Sequence, residues 1–506
     1  MLNGRPQEPR LGLEAYRTNS ERAERCADDD SARRAVQLEE PDWNALPPTV
    51  PPDAAHVIRQ SLEKDRSARL GDIKAARLRL SPAANEKADR GVTPIPPSSS
   101  ALLDGVAAWV QRSPRAMRLL TGLARRIAAI QVVKRKHVFV LGADEVRETL
   151  VRGSDFELGP FGGPKMLMGP FLLGMDPRAQ YERERDLLRQ ILELLLSHVT
   201  AIAGEESARQ AATLVDRRSL DVVNDFAEPI VRRVACRFFG IGFPQVADTR
   251  VLAPANGEEL LSQWVRKVGS VIATTSPAPF GLQRVAESCA GEFRAYLERE
   301  IQQRAGCPDP KTVLGQLLCH MHAGELAQER VLPNLAGLML AGSTPLVKSI
   351  THAIDQILRQ IRRRADPIPA VLDDPAAKRL LFEALRFNPT FPVVIRYCPF
   401  AKLLGGGQSR RDIPDGASLY VALISALFDA EIDDPDVFVA GRPADEDSSL
   451  VFGWGQHHCL GRYVATAELV AMLRAFLGLP RVKEFKPSRI RYDGPAAARF
   501  VIRRRA

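Results

Sequence analysis

Across residues 101–506 apolar side chains recur at three- and four-residue spacing, the period of helices with one buried face. Leu119, Leu120, Leu123, Ile127 and Ile130 share one such stripe, with Arg118, Arg125 and Arg126 among them. This predicts a basic amphipathic helix packed by its apolar face on the core, a commoner fate than resting on a membrane surface. Val138–Leu141 reads as a strand, and Ala143-Asp144-Glu145 opens a helix. Helical periodicity dominates 178–305 and 331–387, short strand-like pieces follow near 393–397 and 419–424, and a last helix starts near Gly461. Helices therefore outnumber strands heavily. Between them, 157–176 is a Gly- and Pro-broken loop with Phe161, Met166, Met168, Phe171, Leu172, Leu173 and Met175, apolar enough to cover something apolar.

Residues 1–100 break the pattern. They are rich in Pro and Ala, carry 16 basic and 16 acidic side chains, and read as a largely disordered extension containing one charged helical stretch over 54–80. The net charge of +9 thus lies wholly in 101–506. It is too diffuse for nucleic acid, no stretch interleaves basic with aromatic residues, and it suits an acidic protein partner. The 7 cysteines lack C-x-x-C spacing and are odd in number, which suggests a reducing compartment. With no leader-like N-terminus and no apolar run of about 18 residues, the expected location is the cytoplasm, without a membrane-spanning segment and with peripheral contact as the remaining membrane option.

The most specific segment is Phe452-Gly453-Trp454-Gly455-Gln456-His457-His458-Cys459-Leu460-Gly461. It sets a thiol in a Gly-bounded loop entering a helix, where amide hydrogens and the helix N-terminus favour a thiolate and glycines allow close approach of a flat ligand. The pattern Phe-x-x-Gly-x-x-x-Cys-x-Gly resembles the haem-binding loop of the cytochrome P450 family. The resemblance implies a mainly α fold with a small β-rich lobe over 101–506, haem b as cofactor, and Cys459 as its iron ligand. Glu383-Ala384-Leu385-Arg386, 459 − 383 = 76 residues upstream, resembles the family's Glu-x-x-Arg motif, and Arg442 resembles the third member of that buried triad. The resemblance implies that these three fix the cysteine loop and take no part in the chemistry. His457 and Arg396 occupy places where the family binds haem propionates. Tyr181-Glu182-Arg183-Glu184-Arg185 resembles its His-x-x-x-Arg helix, with Arg185 kept and Tyr181 replacing the histidine.

On the oxygen side the pattern departs from the family. Ala341-Gly342-Ser343-Thr344-Pro345 resembles the central helix, but Thr344 stands in place of the acid and Pro345 in place of the alcohol. Proline removes an N–H and bends a helix, so a groove is expected while the usual proton relay is not. Ser343, Thr344 or a polar group of the substrate can substitute through water. The default expectation is a monooxygenase acting on an apolar small molecule, with electrons from a separate ferredoxin-type donor. One alternative is a peroxide-driven or hydroperoxide-rearranging enzyme with a fatty-acid-like substrate; another is a haem sensor or carrier without turnover. Lys348, one turn beyond Thr344, can hold a substrate carboxylate, although a surface lysine is the commoner outcome. His320 and His322 point to different faces of a helix and suggest no metal site, and Gly405-Gly406-Gly407 lacks the spacing of a dinucleotide loop.

Overall fold

The computed structural model describes residues 114–504 except 134–135, 160–166, 177, 273–279, 364–371 and 430. The extension over 1–100, the helical stretch expected at 54–80, and Phe161 and Met166 lie outside the described residues.

Helix α1 (Pro114–Ile127) ends where Ala128 N donates to Ala124 O, and the chain turns directly into the hairpin β1 (Ile130–Val133) and β2 (His137–Val140). Ile130 therefore belongs to a strand, opposite Val140, and not to the preceding helix. A second expectation for α1 is also corrected. Its polar face packs inward: the Arg118 guanidinium lies over the rings of Phe387 and Phe428, and Arg125 donates to the carbonyls of Ser425 and Phe428. Leu119, Leu120, Leu123 and Ile127 face outward, 49% to 84% exposed.

Helix α2 (Ala143–Val151) follows, then α3 (Ala179–Leu194), α4 (Leu196–Ala212) and the strand β3 (Ser219–Asp221). A single π-helical turn, Val222–Ala227, capped by the Asp221 carboxylate on Val223 N, leads into α5 (Glu228–Phe239). This strand and turn interrupt what periodicity alone reads as continuous helix, because Leu220 pairs with Ile502 at the far end of the chain. Then come α6 (Gly257–Ile272), α7 (Phe280–Arg304), α8 (Val313–His322), α9 (Gln328–Ala341), α10 (Thr344–Arg363) and α11 (Asp374–Phe387). Strands β4 (Val394–Cys398), β5 (Lys402–Leu404), β6 (Arg411–Ile413) and β7 (Ala417–Val421) precede the single turn α12 (Leu423–Ala426). A long irregular segment reaches α13 (Arg462–Leu477), and the chain closes with β8 (Phe485–Pro487), β9 (Arg491–Asp493), β10 (Ala496–Arg499) and β11 (Val501–Arg504).

Helix α13 packs along α4, α10 and α11, all four contributing to one apolar core. The main sheet has the order β1-β2-β7-β4, with β2 parallel to β7 and the other pairs antiparallel. The two-stranded β9–β10 ribbon and the three-stranded β3-β11-β8 sheet have no counterpart in the sequence reading. Their strands are only three or four residues long, too short to show alternation.

The apolar loop covers α9, as its composition suggests. Phe171, Leu172 and Met168 are buried, and a Cβ on Gly337 of α9 would sit 2.1 Å from the Phe171 ring. Gly337→Ala must displace that ring and is expected to cost about 1–3 kcal/mol in chemical denaturation. An unchanged midpoint would show that Phe171 does not pin the loop.

Candidate functional site

The Cys459 loop is built on glycine. Gly453 and Gly455 have φ of +78° and +69°, and a Cβ on Gly455 would fall 2.2 Å from the Leu150 carbonyl of α2. Cys459 N donates to Phe452 O at 3.1 Å, closing the loop, and Arg462 caps the Cys459 carbonyl at 3.2 Å. Burial pushes the thiol up to about 11; the Gly461 N–H aimed at the sulfur and the Arg462 charge act in the opposite direction. A sulfur so placed becomes anionic at neutral pH only beside a cation such as a metal ion. A Cβ on Gly461 or Gly453 would meet nothing within 4 Å, so both glycines border open space beside the sulfur, as a flat ligand requires.

Glu383, Arg386 and Arg442 form one buried cluster. Arg386 pairs with Glu383 through two bonds of 2.8 and 2.9 Å, and Arg442 Nε lies 3.2 Å from the same carboxylate, close but poorly aligned as a hydrogen bond. Arg386 also donates to the carbonyls of Leu427, Pro435 and Val437, and Val439 N donates to Glu383. The irregular segment before the cysteine is thereby fastened to α11. Phe382, one residue before Glu383, meets Phe452 edge to face at 5.7 Å and carries the fastening into the loop.

Tyr181, Arg185, His457 and Arg396 converge from α3, the cysteine loop and β4. The Tyr181 hydroxyl donates to Gln456 O at 2.7 Å and lies 3.4 Å from His457 Nδ1. Arg185 stands beside that hydroxyl, and Arg396 is near enough to influence it. Arg396 is 6% exposed, and its guanidinium donates to the Ile395 carbonyl. Burial lowers it to about 10, with Asp176 and Tyr181 acting in the opposite direction. No carboxylate forms an ion pair with Arg185 or Arg396 among the described residues. A buried cationic group of this kind suits a ligand that brings its own carboxylates, as haem does.

The central helix is broken between α9 and α10 at Gly342-Ser343. Pro345 has no N–H to give the Ala341 carbonyl. The Ser343 hydroxyl donates back to Met339 O at 2.7 Å. Thr344 faces α6, where a Cβ on Gly269 would touch its hydroxyl at 3.3 Å. Ser343 and Thr344 line a small cleft, with room for about one water, that also holds Glu228, Arg232 and Ser262. There Arg232 donates to Ser262 and Ser262 to Glu228, at 3.1 and 3.0 Å. Sequence reasoning missed this polar group: its members come from α5 and α6, far along the chain, and none carries a motif.

Lys348, one turn into α10, is half-buried, with its ammonium 5.8 Å from the centre of the Phe391 ring. Burial alone lowers it to about 8. It forms no ion pair among the described residues. Glu468 of α13 is 6% exposed, and burial pushes its carboxyl up to about 8 from an ordinary 4.5. Folding therefore keeps a proton that the unfolded chain loses above about 4.5, and stability falls as pH rises from there toward about 8, then levels. Glu468→Gln is expected to flatten this slope and to stabilise the protein near about pH 9 by a few kcal/mol, measured by denaturation at several pH values. An unchanged slope would place the carboxyl's titration elsewhere.

Comparison with known proteins agrees with this geometry. The cytochrome P450 family model matches residues 338–489, which include the helix break, Glu383, Arg386, Arg442 and Cys459. The chain is 23% identical to pulcherriminic acid synthase of Bacillus subtilis, over 60% of this chain and 72% of that protein. It is 27% identical to the cyclomarin C epoxidase CymV of Salinispora arenicola, over 66% and 80%. Among solved structures, the cytochrome P450 CYP109B1 of Bacillus subtilis superposes with a TM-score of 0.59 at 18% identity, over 78% of this chain and 99% of that one. The family model over 338–489, the curated relatives and the solved structures together support a cytochrome P450.

Proposed function

We propose that Cys459 is the ligand of the haem iron, that Arg185, His457, Arg396 and the Tyr181 hydroxyl hold the haem propionates, and that Phe452, Gly455 and Gly461 shape the loop against the ring. Glu383, Arg386 and Arg442 act as structural fasteners. When bound, the haem supplies the activation of oxygen from which one atom enters the substrate, the chemistry of a haem-thiolate monooxygenase. Residues 101–506 are the catalytic body.

The substrate is an apolar small molecule bearing a carboxylate. Lys348 carries this reading: a half-buried ammonium beside an aromatic ring, one turn from the helix break, with no acid paired to it among the described residues. At neutral pH it stays mostly protonated, since its lowered value is about 8. A substrate anion relieves the cost of that buried charge, while Phe391 offers apolar contact. Electrons come from a separate acidic protein of the ferredoxin type, for which the basic excess of 101–506 provides the complementary charge.

Peroxide as oxidant is a second reading, favoured by one observation: the helix break holds Thr344 and Pro345 and no acid. Peroxide arrives with its O–O bond made and one proton in place, which lessens the demand on a relay.

Purified protein reduced under carbon monoxide is expected to give a thiolate-type Soret band, and Cys459→Ala to lose it; a retained band would refute Cys459 as ligand. Turnover of long-chain carboxylic acids is expected with a reduced ferredoxin, and turnover with peroxide alone would move the second reading to first place. Lys348→Met is expected to weaken binding of such acids by about tenfold or more, read as the haem spectral shift, while leaving the corresponding methyl esters unaffected. Equal losses for acid and ester would refute the ion pair.

A further inference from the structure

We propose that Glu228 of α5 holds and passes on the protons for which the broken central helix has no acid. The inference rests on the monooxygenase reading above. Each such turnover takes two electrons from the donor protein and two protons from solvent, and leaves one oxygen atom in the product and the other in water. At the break, Ser343, Thr344 and Pro345 offer no carboxyl. Glu228 is the one acid among the described residues that lines the cleft against which Ser343 and Thr344 stand.

The cleft is prepared for water. It has room for about one molecule, and in it buried Arg232 Nε has no hydrogen-bond partner among the described residues. A water that satisfies this donor finds further partners in the groups that share the cleft lining, the Glu228 carboxylate and the Thr344 hydroxyl. Exposure falls in order from the surface: the Glu258 side chain is 34% exposed, Arg232 19% and Glu228 14%. Glu258 therefore meets solvent, while Glu228 is the inner acid of the set.

Local structure holds Glu228 in this place. Ser262 of α6 donates to it at 3.0 Å and accepts from Arg232 at 3.1 Å. The Arg232 guanidinium lies 3.8 Å from Glu228 and 3.5 Å from Glu258. Glu228 N donates to Val223 O and closes the π-helical turn that precedes α5, a kind of turn that recurs at functional sites. In the proposed step the Glu228 carboxyl gives its proton to the cleft water. That water gives one to the Thr344 hydroxyl as the hydroxyl passes its own inward through the break. The carboxylate left behind recovers a proton from solvent at the Glu258 end; no electron moves, and each transfer conserves charge.

The haem-loaded full chain is tested with reduced ferredoxin and a long-chain carboxylic acid, counting product against electrons consumed. Glu228→Gln is expected to lower product per electron about tenfold or more, and to enlarge the slowing of turnover in heavy water. Adding Thr344→Asp, which returns an acid to the break, is expected to restore coupling to Glu228→Gln, a rescue that a merely structural defect would not show. The thermal midpoint and carbon monoxide band of each variant are expected to match the wild type. Independently of turnover, a crystal structure of the wild-type protein is expected to show a water within hydrogen-bond distance of both the Glu228 carboxylate and the Thr344 hydroxyl. Unchanged coupling in Glu228→Gln, no rescue by Thr344→Asp, or absence of that water would overturn the proposal while leaving the monooxygenase reading intact. No ferredoxin-coupled turnover by the wild-type chain would overturn that reading, and this inference with it.

Discussion

Everything around the cysteine hangs on one buried carboxylate. Glu383 is 2% exposed, and two arginines and a backbone N–H surround its carboxylate there. Such clusters add little net stability, since desolvation consumes much of the attraction, but they are expensive to leave half made, by about 3–5 kcal/mol. Here the cluster matters for what else it binds. Arg386 spends its remaining donors on three carbonyls of a segment with almost no regular structure, so that a helix dictates where irregular chain must run. The loop that follows inherits its position through Phe382 and Phe452.

Around that fixed loop the electrostatics are those of a protein made for a guest. Burial disfavours the Cys459 thiolate, and burial disfavours the Arg396 cation. Among the described residues neither has a partner of opposite charge within ion-pair distance. The two penalties are relieved together by a ligand with a cationic centre and anionic edges. A haem has that distribution, so the same group that supplies the chemistry also completes the fold's charge balance.

Much of this was legible in the sequence, for reasons that differ by residue. The cysteine loop could be read because its backbone demands glycine at fixed offsets, as Gly455 against Leu150 O shows. Glu383 and Arg386 could be read because an i, i+3 spacing on a helix forces them together. The Glu228–Arg232–Ser262 group could not, since only packing of α5 on α6 assembles it. Nor could the outward turn of α1. Periodicity tells that a helix has two faces; it does not tell which face the rest of the protein can use. Arg118 and Arg125 face inward because two phenylalanine rings and the carbonyls of Ser425 and Phe428 await them, partners contributed by residues some 260 to 310 positions later.

The helix break follows the same logic of displaced partners. A proline at 345 frees the Ala341 carbonyl, and Ser343 turns its hydroxyl back on Met339, so the neighbouring hydroxyl is engaged by its own helix. Thr344 keeps the direction of the missing acid without its charge, facing a polar cleft. That cleft is not inert: Glu228, Ser262 and Arg232 make a connected set of donors and acceptors within it, and buried Arg232 Nε still lacks a partner. A carboxylate lost from the helix has therefore not left the neighbourhood devoid of acids. Glu228 of α5 lines the same cleft as Ser343 and Thr344 and accepts from Ser262.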